Sequence, residues 1–165
     1  MLKKMISISL ISLLGLTMVA CSNNTVEQTP QQEDAASEVK NEEAENIIRQ
    51  FEATQSSVTY KDPQSFIAGD KYLTADFAKV YHEQIRAGME QFLKDSKGTV
   101  SGEEPTISFY KQEGDNLIYN FEVDRIITIE QPEQSITSHV KYLVTVTKQK
   151  DGSYLISDMK EVEEN

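Results

Sequence analysis

The period of the hydrophobic pattern changes near residue 98, and this change limits the folds that the chain can adopt. Upstream of it, apolar residues recur every three or four positions, as they do on one face of an amphipathic helix. Downstream of it, apolar and polar residues alternate, as they do in a strand with one buried face. Helices followed by a run of strands predict an α+β domain.

The helical part begins with a predicted helix over residues 41–54. Asn41 is its predicted cap, and the glutamates that follow suit the positive end of the helix dipole. Four residues at helical spacing form its apolar stripe: Ala44, Ile47, Ile48 and Phe51. Asp62 and Pro63 predict the start of a second, shorter helical segment, because Asp caps well and Pro is favoured at the first helical position.

The longest predicted helix covers residues 75–95 and follows Thr74, its predicted cap. At about 100° per residue, its apolar face centres near Ile85, Met89 and Phe92. Arg86 then lies on the opposite, polar face. The glycines at positions 98 and 102 predict that a loop follows this helix.

The rest of the sequence predicts an antiparallel sheet of about four strands. Alternating segments begin near residues 106, 117, 139 and 153 and are separated by tight turns, of which Asp151-Gly152 is the strongest hairpin signal. Strands joined by short turns must run antiparallel. We therefore expect the helices to pack on one face of the sheet.

This order of elements resembles the nuclear-transport-factor-two-like or cystatin-like fold. The resemblance covers about residues 42–164 and is carried by two segments, residues 65–74 leading into the long helix and residues 150–158 in the last hairpin. It implies N-terminal helices packed on a curved sheet that together form a cone. The fold hosts dehydratases, isomerases, ligand binders and scaffolds of secretion machines, so it implies no single function.

The N-terminus has the features of an export signal. Lys3 and Lys4 precede an uncharged stretch, residues 5–19, which is too short for a comfortable membrane span. The sequence Met18-Val19-Ala20-Cys21 resembles the lipobox of bacterial lipoproteins. That resemblance implies cleavage between Ala20 and Cys21 and attachment of diacylglyceryl and palmitate-type acyl chains to Cys21, enough lipid to hold a protein on a bilayer.

These features predict three parts of the chain. Residues 1–20 are the predicted lipoprotein signal peptide, and residues 21–41 are the lipidated cysteine and a polar, disordered tether. Residues 42–165 are the predicted single α+β domain. We expect this domain at the outer face of the cell membrane, or at the outer membrane of a cell that has two, with an envelope protein as a candidate partner.

Composition and motifs exclude several functions. The formal net charge is −11 and no cluster of Lys and Arg occurs, so we expect no nucleic-acid partner. No nucleophile-elbow, zincin, dinucleotide-binding or P-loop pattern is present. We predict no cofactor and no metal site, because only two histidines remain once the single cysteine is assigned to lipid.

Four residues are candidates for a ligand pocket: His82, Tyr119, Arg125 and Tyr142. His82, on the flank of the long helix, is either a general base or a partly solvated structural residue. Arg125 falls on the apolar face of its strand if alternation holds, and it then needs a carboxylate of the protein or of a ligand. Alternatively, a β-bulge near Arg125 turns it to solvent. The two tyrosines line a pocket or belong to the edge of the core.

Three functional hypotheses follow from the sequence. The leading one is a non-catalytic module that binds a protein or a small ligand at the cell envelope. The second is a small enzyme of the dehydratase or isomerase type that uses His82 inside a cone pocket. The third is that the signal peptide, through residues 13–20, is the source of a secreted peptide pheromone.

Overall fold

The computed structural model describes residues 41–130 and 132–162. These residues form helices followed by an antiparallel sheet of five strands, which confirms the α+β class. The predicted signal peptide, lipobox, tether and pheromone segment lie outside the described residues, and they stay predictions together with the cone shape. Within the described ranges, no helix is both long and apolar enough to cross a membrane.

The helical elements begin where the local sequence predicts. Helix α1 spans Glu42–Gln55, and the Asn41 side chain accepts a hydrogen bond from the backbone N–H of Ala44 at 3.1 Å. Two short 3₁₀ turns, Pro63–Phe66 and Asp70–Tyr72, lead to the long helix. Asp62 and Thr74 cap the first of these turns and the long helix, as expected.

The long helix is not a regular α-helix. It consists of α2 (Ala75–Tyr81), one π-helical turn (His82–Arg86) and α3 (Ala87–Ser96). Successive buried residues are normally three or four positions apart, but the step from Tyr81 to Arg86 is five, as a π turn requires.

The π turn changes the face that the helix buries. Arg86 is 5% exposed, whereas Ile85, Met89 and Phe92 are 38%, 39% and 42% exposed. The predicted positions of these residues on the helix were therefore wrong. One extra residue in the turn rotates the rest of the helix by about 100° relative to a regular helix.

The sheet contains β1 (Gly98–Gly102), β2 (Thr106–Glu113), β3 (Asn116–Glu130), β4 (Glu133–Lys148) and β5 (Tyr154–Glu161). β3 pairs with β4 along its whole length, and β5 pairs with the far edge of β4. β1 and β2 follow one another along the other edge of β3. The sheet is thus four strands wide but contains five strands, one more than predicted.

The additional strand is β1, where glycines predicted a loop. A Cβ on Gly102 would collide with the Ser56 hydroxyl at the end of α1, so glycine here permits a close approach of strand and helix. Val100, between the two glycines, is buried and pairs with Ile127 of β3. The turn that precedes β1 uses Lys97 in the left-handed region (φ 52°), which ends α3.

The buried apolar residues form two clusters. The larger one joins α1 and α2 to β3, β4 and β5 around Phe51, Tyr119 and Ile156. The smaller one joins Leu93 of α3 and Val100 of β1 to Val58 and Phe66.

Candidate functional site: an apolar cavity with two arginines

A partly open cavity of about 210 Å³ is lined by the long helix, the segment after α1, and strands β1, β3, β4 and β5. Apolar side chains form most of its wall, among them Val58, Phe66, Ile85, Met89, Ile127 and Val140. Two of the predicted pocket residues, Arg125 and Tyr142, line it, and so does Arg86. It combines an apolar wall with a few polar groups, as small-molecule sites do.

Arg125 of β3 is bound to a carboxylate of the protein. Its Nε donates to Oε1 of Glu52 on α1 at 2.9 Å, and its Nη2 donates to Oε2 at 2.5 Å. The Ser56 hydroxyl donates to the same Oε1 at 2.6 Å. Glu52 is 2% exposed and the Arg125 side chain 17%, so this is a bidentate ion pair at the wall of the cavity.

The pairing decides between the two sequence interpretations of Arg125. The register between β3 and β4 runs without a shift through Arg125, which lies opposite Ser138. The β-bulge hypothesis for Arg125 was therefore wrong, and strand alternation holds. Burial acts to lower the pKa of Arg125, but the hydrogen bond and the negative charge of Glu52 outweigh it and raise the pKa, which keeps the guanidinium charged.

Arg86 is the second arginine of the cavity, and the sequence pattern missed it. Its Nη1 donates to Oδ2 of Asp70 at 3.0 Å, and its Nη2 donates to the other carboxylate oxygen. The guanidinium carbon lies 5.4 Å from the centre of the Tyr81 ring, within cation–π range. Among the described residues, Arg86 Nε has no hydrogen-bond partner. The signal that could have identified this residue was the five-residue step from Tyr81.

Two tyrosines line the cavity, and they differ in how deeply they are buried. The Tyr81 hydroxyl donates to Oε1 of Gln55 at 2.8 Å, and burial raises the pKa of Tyr81 to about 12. Tyr142 is half-buried, and burial likewise raises its pKa, against the opposing effect of the Arg125 charge. Both phenols therefore remain neutral near pH 7 and can donate hydrogen bonds.

The other two predicted pocket residues lie elsewhere. His82 is exposed on the π turn and is not among the residues that line the cavity. The isomerase hypothesis, which required His82 inside a pocket, thereby loses its general base. Tyr119 is fully buried in the larger core cluster, and its ring lies 5.8 Å from that of Phe109. Within the described part of the chain its hydroxyl has no partner, and burial raises its pKa to about 12.

The rim of the cavity is polar. His139 is exposed, as predicted, and its Nδ1 lies 2.5 Å from Oδ1 of Asp124. Glu161, at the end of β5, is the exposed carboxylate of the rim. In residues 41–130 and 132–162, no three His, Cys, Asp or Glu side chains are grouped as a metal site would require.

Comparison with known proteins shows the fold alone. The chain is similar to a solved IcmL-like type IV secretion system protein from Legionella pneumophila subsp. pneumophila str. Philadelphia 1, with a TM-score of 0.58 and 11% sequence identity. The match covers 73% of this chain and 91% of the other. No protein-family model matches the sequence, and no curated protein is similar to it. The resemblance to nuclear-transport-factor-two-like proteins therefore stays a prediction.

Proposed function

We propose that this protein is a lipoprotein held by Cys21 at the outer face of a bacterial membrane, and that its folded domain is a non-catalytic binding module of the cell envelope. The lipobox-like sequence before Cys21 supports the anchor. As a flexible chain of about 20 residues, the polar segment that follows would have an r.m.s. end-to-end distance of about 25 Å, which would keep the domain near the bilayer. The cone-shaped, cystatin-like arrangement predicted from the sequence belongs to this proposal.

The observation that supports a binding role is that both arginines of the cavity are paired with carboxylates. Both guanidiniums are bound by the protein's own carboxylates, Arg125 by Glu52 and Arg86 by Asp70. Arginines held in this way orient and rigidify a wall, and among the described residues no histidine is in hydrogen-bond contact with either of them. The inner wall of the cavity is therefore mainly apolar, and the contact of His139 with Asp124 lies at its exposed rim.

A role beside larger envelope machinery is the form of this function that we favour. The solved protein with the similar fold is described as a type IV secretion system protein. A domain of this fold, placed near the membrane by lipid, suits an accessory component of such an assembly. This role concerns location and partners, and it requires no chemistry in the cavity.

The experiment is a crosslinked pull-down of the full protein from membranes of its host, compared with Cys21→Ala. We expect the wild-type protein in the membrane fraction, with an N-terminal peptide that begins at lipid-modified Cys21 and with an envelope protein crosslinked to it. Cys21→Ala should lose the lipid, the membrane association and the crosslinked partner.

Two results would contradict the proposal. An unmodified, uncleaved N-terminus in the wild-type protein would exclude the lipoprotein assignment. A correctly lipidated protein that captures the same proteins as Cys21→Ala would exclude a role that depends on the anchor.

A further inference from the structure

We propose that the cavity binds an uncharged, mainly apolar small molecule that carries one hydrogen-bond acceptor, such as a carbonyl oxygen. This inference rests on the proposed binding function and adds the class of ligand. It follows from the charges, the free donors and the size of the cavity.

The charges around the cavity leave no place for an anion. Arg125 and Arg86 supply two positive charges, and Glu52, Asp70 and Glu161 supply three negative charges, so the sum is one negative charge. The rim histidine, His139, adds no unpaired cation, because it contacts the carboxylate of Asp124. A ligand carboxylate would bring a further charge into a poorly solvated space without an unpaired cation to receive it.

The cavity wall has hydrogen-bond donors without a partner, which favour a ligand that carries an acceptor. Glu52 uses Nε and Nη2 of Arg125, and in the described residues no hydrogen bond engages Nη1. The Tyr142 hydroxyl lines the same cavity and makes no hydrogen bond among the described residues. The buried Nε of Arg86, which also lines the cavity, has no partner there either. A carbonyl oxygen accepts from such donors and adds no charge, whereas a purely apolar ligand would leave them without water or a partner.

The volume limits the ligand to about one ring and a short chain. A dry apolar cavity of about 150 Å³ is known to hold benzene. The cavity here, at about 210 Å³, is somewhat larger. Drug-sized ligands, by contrast, occupy sites of about 300–1,000 Å³.

Three probes with the same phenylethyl core separate the effect of ligand charge from that of a hydrogen-bond acceptor. Benzylacetone has a neutral carbonyl group, hydrocinnamate has a carboxylate, and butylbenzene has no acceptor. Binding is measured on the full chain in nanodiscs, from the ¹³C-methyl signals of methionine. Met89 lines the cavity and reports binding. Met159 packs against the core cluster and is not among the lining residues, so it is the internal reference.

We expect benzylacetone to shift the Met89 signal saturably and to leave Met159 in place. Butylbenzene should bind about 2- to 10-fold more weakly, because it lacks one hydrogen bond. Hydrocinnamate should bind at least about 10-fold more weakly than benzylacetone at pH 7. Glu161→Gln should reduce that difference, since it removes the carboxylate at the rim.

Two valine-to-phenylalanine variants, one inside the cavity and one on the exposed surface, test where the probes bind. Val140→Phe fills the cavity and should abolish the Met89 shift, whereas Val80→Phe, at an exposed position of α2, should leave it unchanged. Hydrocinnamate that binds as tightly as benzylacetone would overturn the inference of a neutral ligand. No saturable Met89 shift with any probe would overturn the ligand site, and the partner capture, which uses no ligand, tests the envelope role separately.

Discussion

Removing Arg125 should destabilise the domain far more than removing it together with Glu52. Glu52 is 2% exposed and receives three hydrogen bonds, two from Arg125 and one from Ser56. Arg125→Met leaves that carboxylate buried with one hydrogen bond, and we expect a loss of about 3–5 kcal/mol in the free energy of unfolding. This loss is a large part of the free energy of unfolding of an average domain, which is about 5–15 kcal/mol.

The double variant Glu52→Leu with Arg125→Met removes both charges and keeps an apolar contact between α1 and β3. Its free energy of unfolding should lie within about 1 kcal/mol of the wild type, or above it. Glu52→Leu alone should cost less than Arg125→Met alone, because the Arg125 side chain is 17% exposed and keeps more contact with solvent when unpaired than Glu52, which is 2% exposed.

These free energies are measured by urea unfolding of the full chain, followed by circular dichroism, with the double-mutant cycle giving the coupling. If Arg125→Met cannot be purified folded, the double variant still decides the question. A cost below about 1 kcal/mol for Arg125→Met would refute the buried ion pair. A double variant that loses the sum of the two single losses would refute the coupling.

Further predictions concern the buried hydroxyls and the glycine beside α1. Tyr119→Phe should change the free energy of unfolding by less than about 0.5 kcal/mol, because its hydroxyl lacks a partner among the described residues, whereas Tyr81→Phe should cost about 1 kcal/mol in the same urea assay. Burial raises the pKa of Tyr81 from 10.0 to about 12, so its stabilisation is complete below pH 10 and is lost as the pH rises to about 12. In a Tyr119→Phe background, Tyr81→Phe should reduce the alkaline loss by about 2–3 kcal/mol, and Tyr110→Phe, whose ring is exposed, should not. The raised pKa of Tyr142 contributes a loss that remains in each of these variants. Gly102→Ala should cost about 1–3 kcal/mol, since its Cβ meets Ser56, and thermal unfolding that shows no loss would mean that α1 and β1 are not in close contact.

The features that the sequence predicted well depend on neighbours along the chain. The caps Asn41, Asp62 and Thr74 act on backbone groups within three residues, and each forms the expected hydrogen bond. For Arg125, strand alternation gave the inner face only as one of two interpretations, because Ile126-Ile127 breaks the alternation and favours a β-bulge; the unshifted register shows that alternation holds. The partner of Arg125 was beyond sequence reasoning, since Glu52 lies 73 positions away.

The features that were missed depend on contacts between distant elements. Gly102 reads as a loop residue, but it pairs with Arg125 in the sheet, and glycine is required there because Ser56 leaves no room for a side chain. The π turn brings Arg86 into tertiary contacts, in which it pairs with Asp70 and lies against the Tyr81 ring. A helical wheel assumes one constant rotation per residue, so it placed Ile85 inside and Arg86 outside.

His82 lies at the first residue of the π segment, directly after the buried Tyr81, and its side chain is exposed. The sequence pattern placed it on the flank of the helix, which agrees with this exposure. The sequence therefore supplied the candidate base, but His82 is not among the residues that line the cavity.

Photocrosslinking in living cells tests most directly whether the cavity is the working site of the proposed membrane-anchored domain. The photoreactive residue p-benzoylphenylalanine is placed at Ile85, on the cavity wall, or at Tyr110, which is 54% exposed on β2 and does not line the cavity. We predict that the Ile85 probe acquires an adduct of small-molecule mass, that Val140→Phe abolishes it, and that the Tyr110 probe acquires none. An Ile85 probe without an adduct, beside a Tyr110 probe that crosslinks to a protein, would contradict the claim and place the working surface at the edge of the sheet.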